Sequence, residues 1–288
     1  MSSATQGQQT IGLRRSLLYV PATKPRALEK ALELPADVII VDLEDSVGPA
    51  AKDQARDAAV AALRRGFPGK TTALRINGLD TPWGQADLKA VVHAQPDVVV
   101  LPKVSTPEPI QAVARGIGTD TRLWAMIESC MALIRMPDIA GAAKTSGLAG
   151  LLVGTNDLAA EMGCHAGVDR HALVPALSQV VITARAWGLT PLDGPFNDFE
   201  DHGGMEIQCR HAAELGFDGK SLIHPAQIEA ANRAFSPSAE RIAWARAVIA
   251  AFQADPKAGV LNVDGRMVER MHLREAQAIA RFALSSAP

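Results

Sequence analysis

Apolar residues along this chain fall into short dense runs, and each run stops at a polar or charged residue. Ser16-Leu-Leu-Tyr-Val, Val38-Ile-Ile-Val-Asp-Leu, Thr72-Ala-Leu-Arg-Ile and Asp97-Val-Val-Val-Leu come first. Leu123 to Ile127, Gly150 to Val153, Leu189-Thr-Pro-Leu-Asp and Gly219-Lys-Ser-Leu-Ile follow. Runs of this length, bounded by turn residues, are read as strands buried on both faces. The seventh is the weakest, because Pro191 removes a ladder donor. Between the runs, apolar residues recur at helical spacing over about Pro25 to Leu34, Ala50 to Arg65, Trp83 to His93, Glu108 to Gly116, Arg170 to Trp187 and Phe199 to Leu215. A single crossover helix is expected between the fifth and sixth strands, which makes them parallel neighbours.

Strands and helices alternating in this number, over about 220 residues, predict a (β/α)8 TIM barrel. The competing doubly wound sheet lacks its glycine-rich first turn, since the chain reads Val20-Pro-Ala-Thr-Lys-Pro there. Past the eighth strand, helical patterns cover about Pro225 to Phe235 and Ser238 to Gln253. After a turn-rich link, Asp255-Pro-Lys-Ala-Gly, a last helix is expected from about Val268 to Leu284. The organisation expected is a flexible tail over residues 1–12, a barrel over residues 13–235 and a C-terminal helical extension over residues 236–288. Ile242, Trp244, Ala245, Val248, Ile249 and Phe252 give that extension an apolar stripe that needs a surface, the chain's own or a neighbour's.

Composition narrows the class. With 288 residues, 48% hydrophobic, and a net charge of −2, the chain has the profile of a globular protein with a large core. No basic stripe with interleaved aromatics marks a nucleic-acid surface. No apolar run approaches the ~18 residues of a membrane span, and the polar start of the chain is not a secretion signal. Its 3 cysteines, Cys130, Cys164 and Cys209, have neither disulfide nor zinc spacing, which points to a reducing, cytoplasmic setting.

In a barrel of this kind, functional groups sit where strands end. The second strand ends with Asp42, Glu44 and Asp45, the third with Arg75 and Asn77, and the fourth with Lys103. The fifth gives Glu128, the sixth Asn156 and Asp157, the seventh Asp193 and the eighth His224. Glu128 and Asp157, on neighbouring strands about 4.8 Å apart, could share one Mg²⁺, which keeps several waters and takes only one or two carboxylates. The plain alternative is that both are polar caps. Arg75 offers a planar fork to an anionic substrate, or else an ion pair with Glu44 or Asp45. The Gly154-Thr-Asn-Asp turn opens a helix whose free N–H groups suit a second substrate oxygen, or simply carries an ordinary N-cap at Thr155 or Asn156.

An ordered set of motifs adds a resemblance. It comprises Ser16-Leu-Leu-Tyr-Val-Pro-Ala-Thr-Lys-Pro-Arg, Val41-Asp-Leu-Glu-Asp-Ser-Val, Leu74-Arg-Ile-Asn and Leu101-Pro-Lys-Val. Met126-Ile-Glu-Ser, Gly154-Thr-Asn-Asp-Leu and Lys220-Ser-Leu-Ile-His-Pro-Ala-Gln complete it. The set resembles the citrate lyase beta subunit family, which also holds malyl-CoA and citramalyl-CoA lyases, and spans about Leu13 to Leu284. The resemblance implies a Mg²⁺-dependent lyase that cleaves or forms a carbon–carbon bond in a 3-hydroxyacyl thioester, with an oxo acid and an acyl-CoA as partners. It implies Glu128 and Asp157 as metal ligands, Arg75 on the oxo-acid carboxylate, and Glu44 and Asp45 near the metal's water shell. It places Tyr19, Lys24 and Arg26 on the phosphate-bearing carrier, and Ile223, His224 and Pro225 near its nucleotide end.

The tail departs from that pattern. Glu269 stands where the lyases bring an acid/base aspartate into a neighbour's site, and Met271 replaces a proline. Glutamate does the same proton chemistry with its carboxyl displaced by about 1.5 Å. The resemblance also implies a homo-oligomer, such as a trimer, with sites shared between chains. Two other readings remain: a thioester-independent oxo-acid aldolase, which Lys24, Arg26 and His224 argue against, and a non-catalytic oxo-acid-binding relative, which Glu269 favours.

Overall fold

Strands and helices alternate from the first described strand. The order is β1 (Ser16–Pro21), α1 (Pro25–Lys30), β2 (Val38–Asp42), α2 (Lys52–Arg65), β3 (Thr71–Arg75), α3 (Gly84–Ala94), β4 (Val98–Leu101) and α4 (Glu108–Gly116). It continues with β5 (Arg122–Ile127), α5 (Cys130–Ile134), α6 (Met136–Gly141), α7 (Ala143–Ser146), β6 (Leu148–Val153) and α8 (Thr155–Met162). Then come α9 (Val174–Ala186), β7 (Thr190–Asp193), α10 (His202–Leu215), β8 (Gly219–Leu222) and α11 (Ile228–Ala234). The eight strands pair in sequence order, all parallel, and β8 returns to β1 to close the barrel. This computed structural model describes residues 13–285, so the tail expected over residues 1–12 lies outside it.

Alternation along the strands sorts the core into two layers. Leu17, Val38, Ile40, Ala73, Val98, Val100, Trp124, Met126, Leu152 and Leu192 fill the barrel interior. Their neighbours in sequence, such as Leu18, Ile39, Val41, Leu74, Val99, Ile127 and Leu151, pack in the larger apolar cluster with the helices. The largest interior side chain, Trp124, is accommodated by Gly150, where a Cβ would lie 2.8 Å from Trp124 Cδ1. The β5–β6 register shifts at Leu123/Trp124, the same place.

Several boundaries differ from expectation for local reasons. The crossover between β5 and β6 is three short helices, because Pro137 near the start of α6 restarts the chain. The helix expected from Arg170 begins at Val174, after Arg170 adopts a left-handed φ of 52° and a 3₁₀ turn follows. The helix expected from Phe199 begins at His202, where the Asp201 carboxylate caps Gly204 N–H at 2.8 Å.

The chain divides into two compact units at the Phe235–Ser236 boundary. In the second, α12 (Ala239–Ala254) and α13 (Arg270–Ser285) enclose Ala245, Val248, Phe252, Val263, Val268 and Ala276. This unit is not wholly helical. The expected link is a turn over residues 255–259, and between it and the last helix a hairpin of β9 (Val260–Val263) and β10 (Arg266–Glu269) intervenes, so that α13 starts at Arg270 rather than near Val268. Asp264 and Gly265 form its two-residue loop with φ of 50° and 76°, left-handed at both positions, which matches the twist of the paired strands. No helix among the described residues is long and apolar enough to cross a membrane.

Candidate active site

Strand parity decides which strand-end groups converge. Tyr19, Asp42, Arg75 and Glu128 occupy the inward phase of β1, β2, β3 and the end of β5, continuing the rows that fill the interior. They meet at the C-terminal mouth of the barrel.

Arg75 is the hub. Its Nε and Nη2 donate to Asp42 Oδ1 and Oδ2 at 2.6 and 2.7 Å, a bidentate pair. Nη1 faces Glu44 Oε2 at 3.1 Å and Asp45 Oδ2 at 3.8 Å. The guanidinium lies 4.5 Å from the centroid of the Tyr19 ring. Burial disfavours its charge, but Tyr19, Asp42 and Glu44 outweigh burial and hold its pKa above the ordinary value. Asp42 also accepts the Glu44 and Ser46 N–H groups at 2.9 and 3.2 Å. Burial pushes its carboxyl up, but Arg75 and these N–H donors leave it below the usual range.

The planar fork expected to grip a substrate is therefore occupied by Asp42, and Nη1 is the nitrogen outside that pair, on the side of Glu44 and Asp45. Tyr19, expected with the carrier-binding segment, faces inward beneath Arg75 instead, its hydroxyl 3.9 Å from Met126 Sδ.

Glu128 is buried, with 4% of its surface exposed. The Lys103 backbone N–H donates a short hydrogen bond to its Oε1. Lys103 makes that approach from a left-handed backbone, φ 53°, unusual for a side chain with a Cβ. Its ammonium reaches Glu44 Oε1 at 3.1 Å and Asp45 Oδ1 at 3.8 Å. Gly154, which follows β6 and precedes α8, is pressed against the same carboxylate: a Cβ there would lie 2.4 Å from both Cβ and Oε2 of Glu128. Burial, and then the charges of Glu44 and Asp157, push the Glu128 carboxyl up to about 7. Burial and Asp45 raise Glu44 as well. Asp157 sits exposed in the first turn of α8.

A group of buried carboxylates that resists ionisation is one a cation would relieve. Hard oxygens from Glu128 and Asp157, with Glu44 close by, suit Mg²⁺. The described residues contain no three-residue His/Cys/Asp/Glu cage, and Mg²⁺ rarely needs one because it retains waters.

The residues expected to meet the carrier lie to one side of this mouth. Lys24 and Arg26 are exposed at the start of α1, after β1. Ile223, His224 and Pro225 follow β8, which pairs with β1, so the two groups sit on adjacent strand ends. Gln227 Oε1 accepts the N–H groups of Ile223 and His224 at 2.9 and 3.2 Å. The His224 ring stacks on Phe199 with centroids 4.7 Å apart, a partner that sequence reasoning did not identify.

Asp193, counted among the mouth carboxylates, is not one. It takes the outward phase of β7 and is fully buried against Lys220 (2.7 Å) and Arg170 (2.7 and 2.9 Å) in the helix layer. Glu269 ends β10 in the second unit, exposed, with its N–H donating to His272 Nδ1 at 2.9 Å.

The chain is similar to known proteins over most of its length. The family model for HpcH/HpaI aldolase/citrate lyase matches residues 15–225. The (3S)-malyl-CoA thioesterase of Cereibacter sphaeroides is 44% identical over 281 residues, covering 94% of this chain and 97% of that protein. The L-malyl-CoA/beta-methylmalyl-CoA lyase of Rhodobacter capsulatus is 34% identical over 316 residues, with 98% of each covered. Among solved structures, the protein CitE from Mycobacterium tuberculosis, in complex with magnesium, acetoacetate and coenzyme A, superposes with a TM-score of 0.77. It is 30% identical, and the match covers 94% of this chain and 98% of that one.

Proposed function

The chain belongs to the HpcH/HpaI aldolase/citrate lyase family, and from that premise we propose that it is a Mg²⁺-dependent carbon–carbon lyase acting on a malyl-type CoA thioester. The single observation that carries this reading is Glu128. It is a buried carboxylate at the barrel mouth, held by Lys103 N–H and Gly154, with its carboxyl pushed up to about 7 beside Glu44 and Asp157.

In a retro-Claisen cleavage, the hydroxyl of the substrate loses its proton as the bond to the thioester's α-carbon breaks, giving an oxo acid and an acyl thioester. Glu128 and Asp157 would hold Mg²⁺, which supplies Lewis acidity to the oxygen where charge develops. Arg75 offers Nη1 to the carboxylate of the oxo-acid half, in a fixed direction because Asp42 and Tyr19 immobilise the rest of the group. Lys103 is the other cation within reach, held above Glu44 and Asp45. Lys24, Arg26 and the Ile223–His224–Pro225 turn supply cationic and stacking surface for the phosphates and base of the CoA. Glu269, in a homo-oligomer, would supply the acid/base carboxyl to a neighbouring chain.

A second reading is hydrolysis of the same thioester. Relatives at 43–44% identity over most of the chain carry that activity in their names, and Glu269 departs from the lyase pattern. Product analysis separates the two. Cleavage of malyl-CoA yields glyoxylate and acetyl-CoA, whereas hydrolysis yields malate and free CoA. Glyoxylate and acetyl-CoA formed in equal amounts support the lyase. Malate and free thiol without glyoxylate replace it with the hydrolase.

A further inference from the structure

Helix α2 opens with a lysine that reaches back beneath the acidic loop. Lys52 is 5% exposed, and its Nζ donates to Leu43 O at 2.7 Å, Glu44 O at 2.8 Å and Asn77 Oδ1 at 2.6 Å. An ammonium has three N–H donors, so these acceptors satisfy all of them. The Trp83 ring lies 5.0 Å from the same nitrogen and shields it.

Behind Lys52 stands a second tier. Asn77 Nδ2 donates to Leu43 O at 3.0 Å and to Asp87 Oδ2 at 2.5 Å, and the Asn77 N–H donates to that same oxygen at 2.9 Å. Asp87 is anchored in turn by Arg56 Nε at 2.8 Å. The network starts on α2 and α3, passes through the end of β3, and terminates on two consecutive carbonyls of the turn that carries Glu44 and Asp45.

Burying an ammonium is costly unless every donor is met, and two of the three acceptors chosen here are peptide oxygens of the site loop. Fixing the Leu43 and Glu44 carbonyls fixes both peptide planes around Glu44, and with them the direction of its side chain. That side chain then lies 3.1 Å from Arg75 Nη1 and 3.1 Å from Lys103 Nζ.

We propose that Lys52 is a positioning residue of the active site: it clamps the Leu43–Glu44 backbone so that the Glu44 carboxylate stays between Arg75 and Lys103, at the side of Glu128. The effect on catalysis rests on the reading of the mouth as a thioester site, whereas the clamp itself does not. Two measurements keep these apart.

The first is amide hydrogen exchange on Lys52→Met and wild type, with no substrate present. Exchange over residues 43–48 should rise about ten-fold or more, while the second half of α2 keeps its protection. The second is steady-state kinetics on malyl-CoA in wild type, Lys52→Met, Glu44→Gln and the double variant. Lys52→Met should lower kcat by about 100-fold with KM changed about three-fold at most. In the Glu44→Gln background the same substitution should cost no more than about two-fold, because its effect passes through Glu44.

Lys52→Arg carries the same comparison if Lys52→Met does not fold. It keeps the charge but replaces a tripod by a planar fork, so both effects should persist at smaller size. Unchanged exchange over 43–48, or equal losses from the Lys52 substitution with and without Glu44, would overturn the proposal. A wild type inactive on thioesters would defeat the functional reading alone, and the exchange measurement would still decide the clamp.

Discussion

Arg75 and Asp42 form a closed two-point pair, Nε to Oδ1 at 2.6 Å and Nη2 to Oδ2 at 2.7 Å, inside the barrel mouth. Asp42 is 1% exposed. Removing one member of a buried pair costs about 3–5 kcal/mol, and Glu44 and Asp45 beside Nη1 offset only part of the charge left on Arg75. Asp42→Asn should therefore lower the unfolding free energy by that order in a urea titration, and should weaken oxo-acid binding because Nη1 loses its fixed direction. A loss below about 1 kcal/mol would mean the pair contributes as little as a surface salt bridge.

The Glu128 carboxyl gives a pH signature. Its pKa is raised in the folded chain, from 4.5 to about 7, chiefly by burial. The folded protein thus binds that proton more tightly than the unfolded one. The stabilisation from this group is complete below pH 4.5 and is lost as pH rises through about 7. In the presence of a chelator, Glu128→Gln should remove that slope and leave the variant the more stable of the two at pH 8, by up to roughly 3 kcal/mol. Mg²⁺ should reverse the order by stabilising wild type alone. Parallel stability–pH curves for the two proteins in chelator would refute the assignment.

Gly154 is required by proximity rather than by backbone freedom, since a Cβ would sit 2.4 Å from Glu128 Oε2. Gly154→Ala should displace the carboxylate, reduce Mg²⁺ affinity in calorimetry by at least about 10-fold and reduce turnover by about 100-fold. A variant that binds Mg²⁺ normally would show that Glu128 has room to move.

The barrel, its strand order and the set of strand-end groups were all readable in the sequence, because short apolar runs ending in charge are what a two-sided parallel strand requires. Strand parity is legible in the same runs and separates the groups that converge from those that do not. In β7 the residue before Asp193 is Leu192, which points inward, so Asp193 must face the helices, where Lys220 and Arg170 neutralise it. The same alternation turns Tyr19 under Arg75. Asp42 was named as a strand end, but nothing in a linear pattern says which of three nearby carboxylates an arginine will take. The hairpin in the second unit had a plain signal, Asp264-Gly265 between alternating apolar residues, overshadowed by the helical period that follows it. The Lys52 clamp joins helices α2 and α3 to the turns after β2 and β3 and has no sequence period at all.

The role of Glu269 is tested by complementation. Glu128→Gln and Glu269→Gln chains should each be inactive alone. If neighbouring chains share sites, refolding the two together should restore a measurable fraction of wild-type turnover, since some sites then pair an intact metal centre with an intact Glu269. Mixed oligomers that form and stay inactive would confine Glu269 to its own chain or to no catalytic role.

On the proposed function, Glu128 makes thioester cleavage at this mouth depend on Mg²⁺. The direct measurement is acetyl-CoA release from malyl-CoA by wild type and Glu128→Gln, each with Mg²⁺ and with chelator. Wild type with Mg²⁺ should turn over, while chelator or the substitution should each lower the rate by at least about 1,000-fold. Turnover that persists in chelator, or in Glu128→Gln with Mg²⁺, would contradict the account.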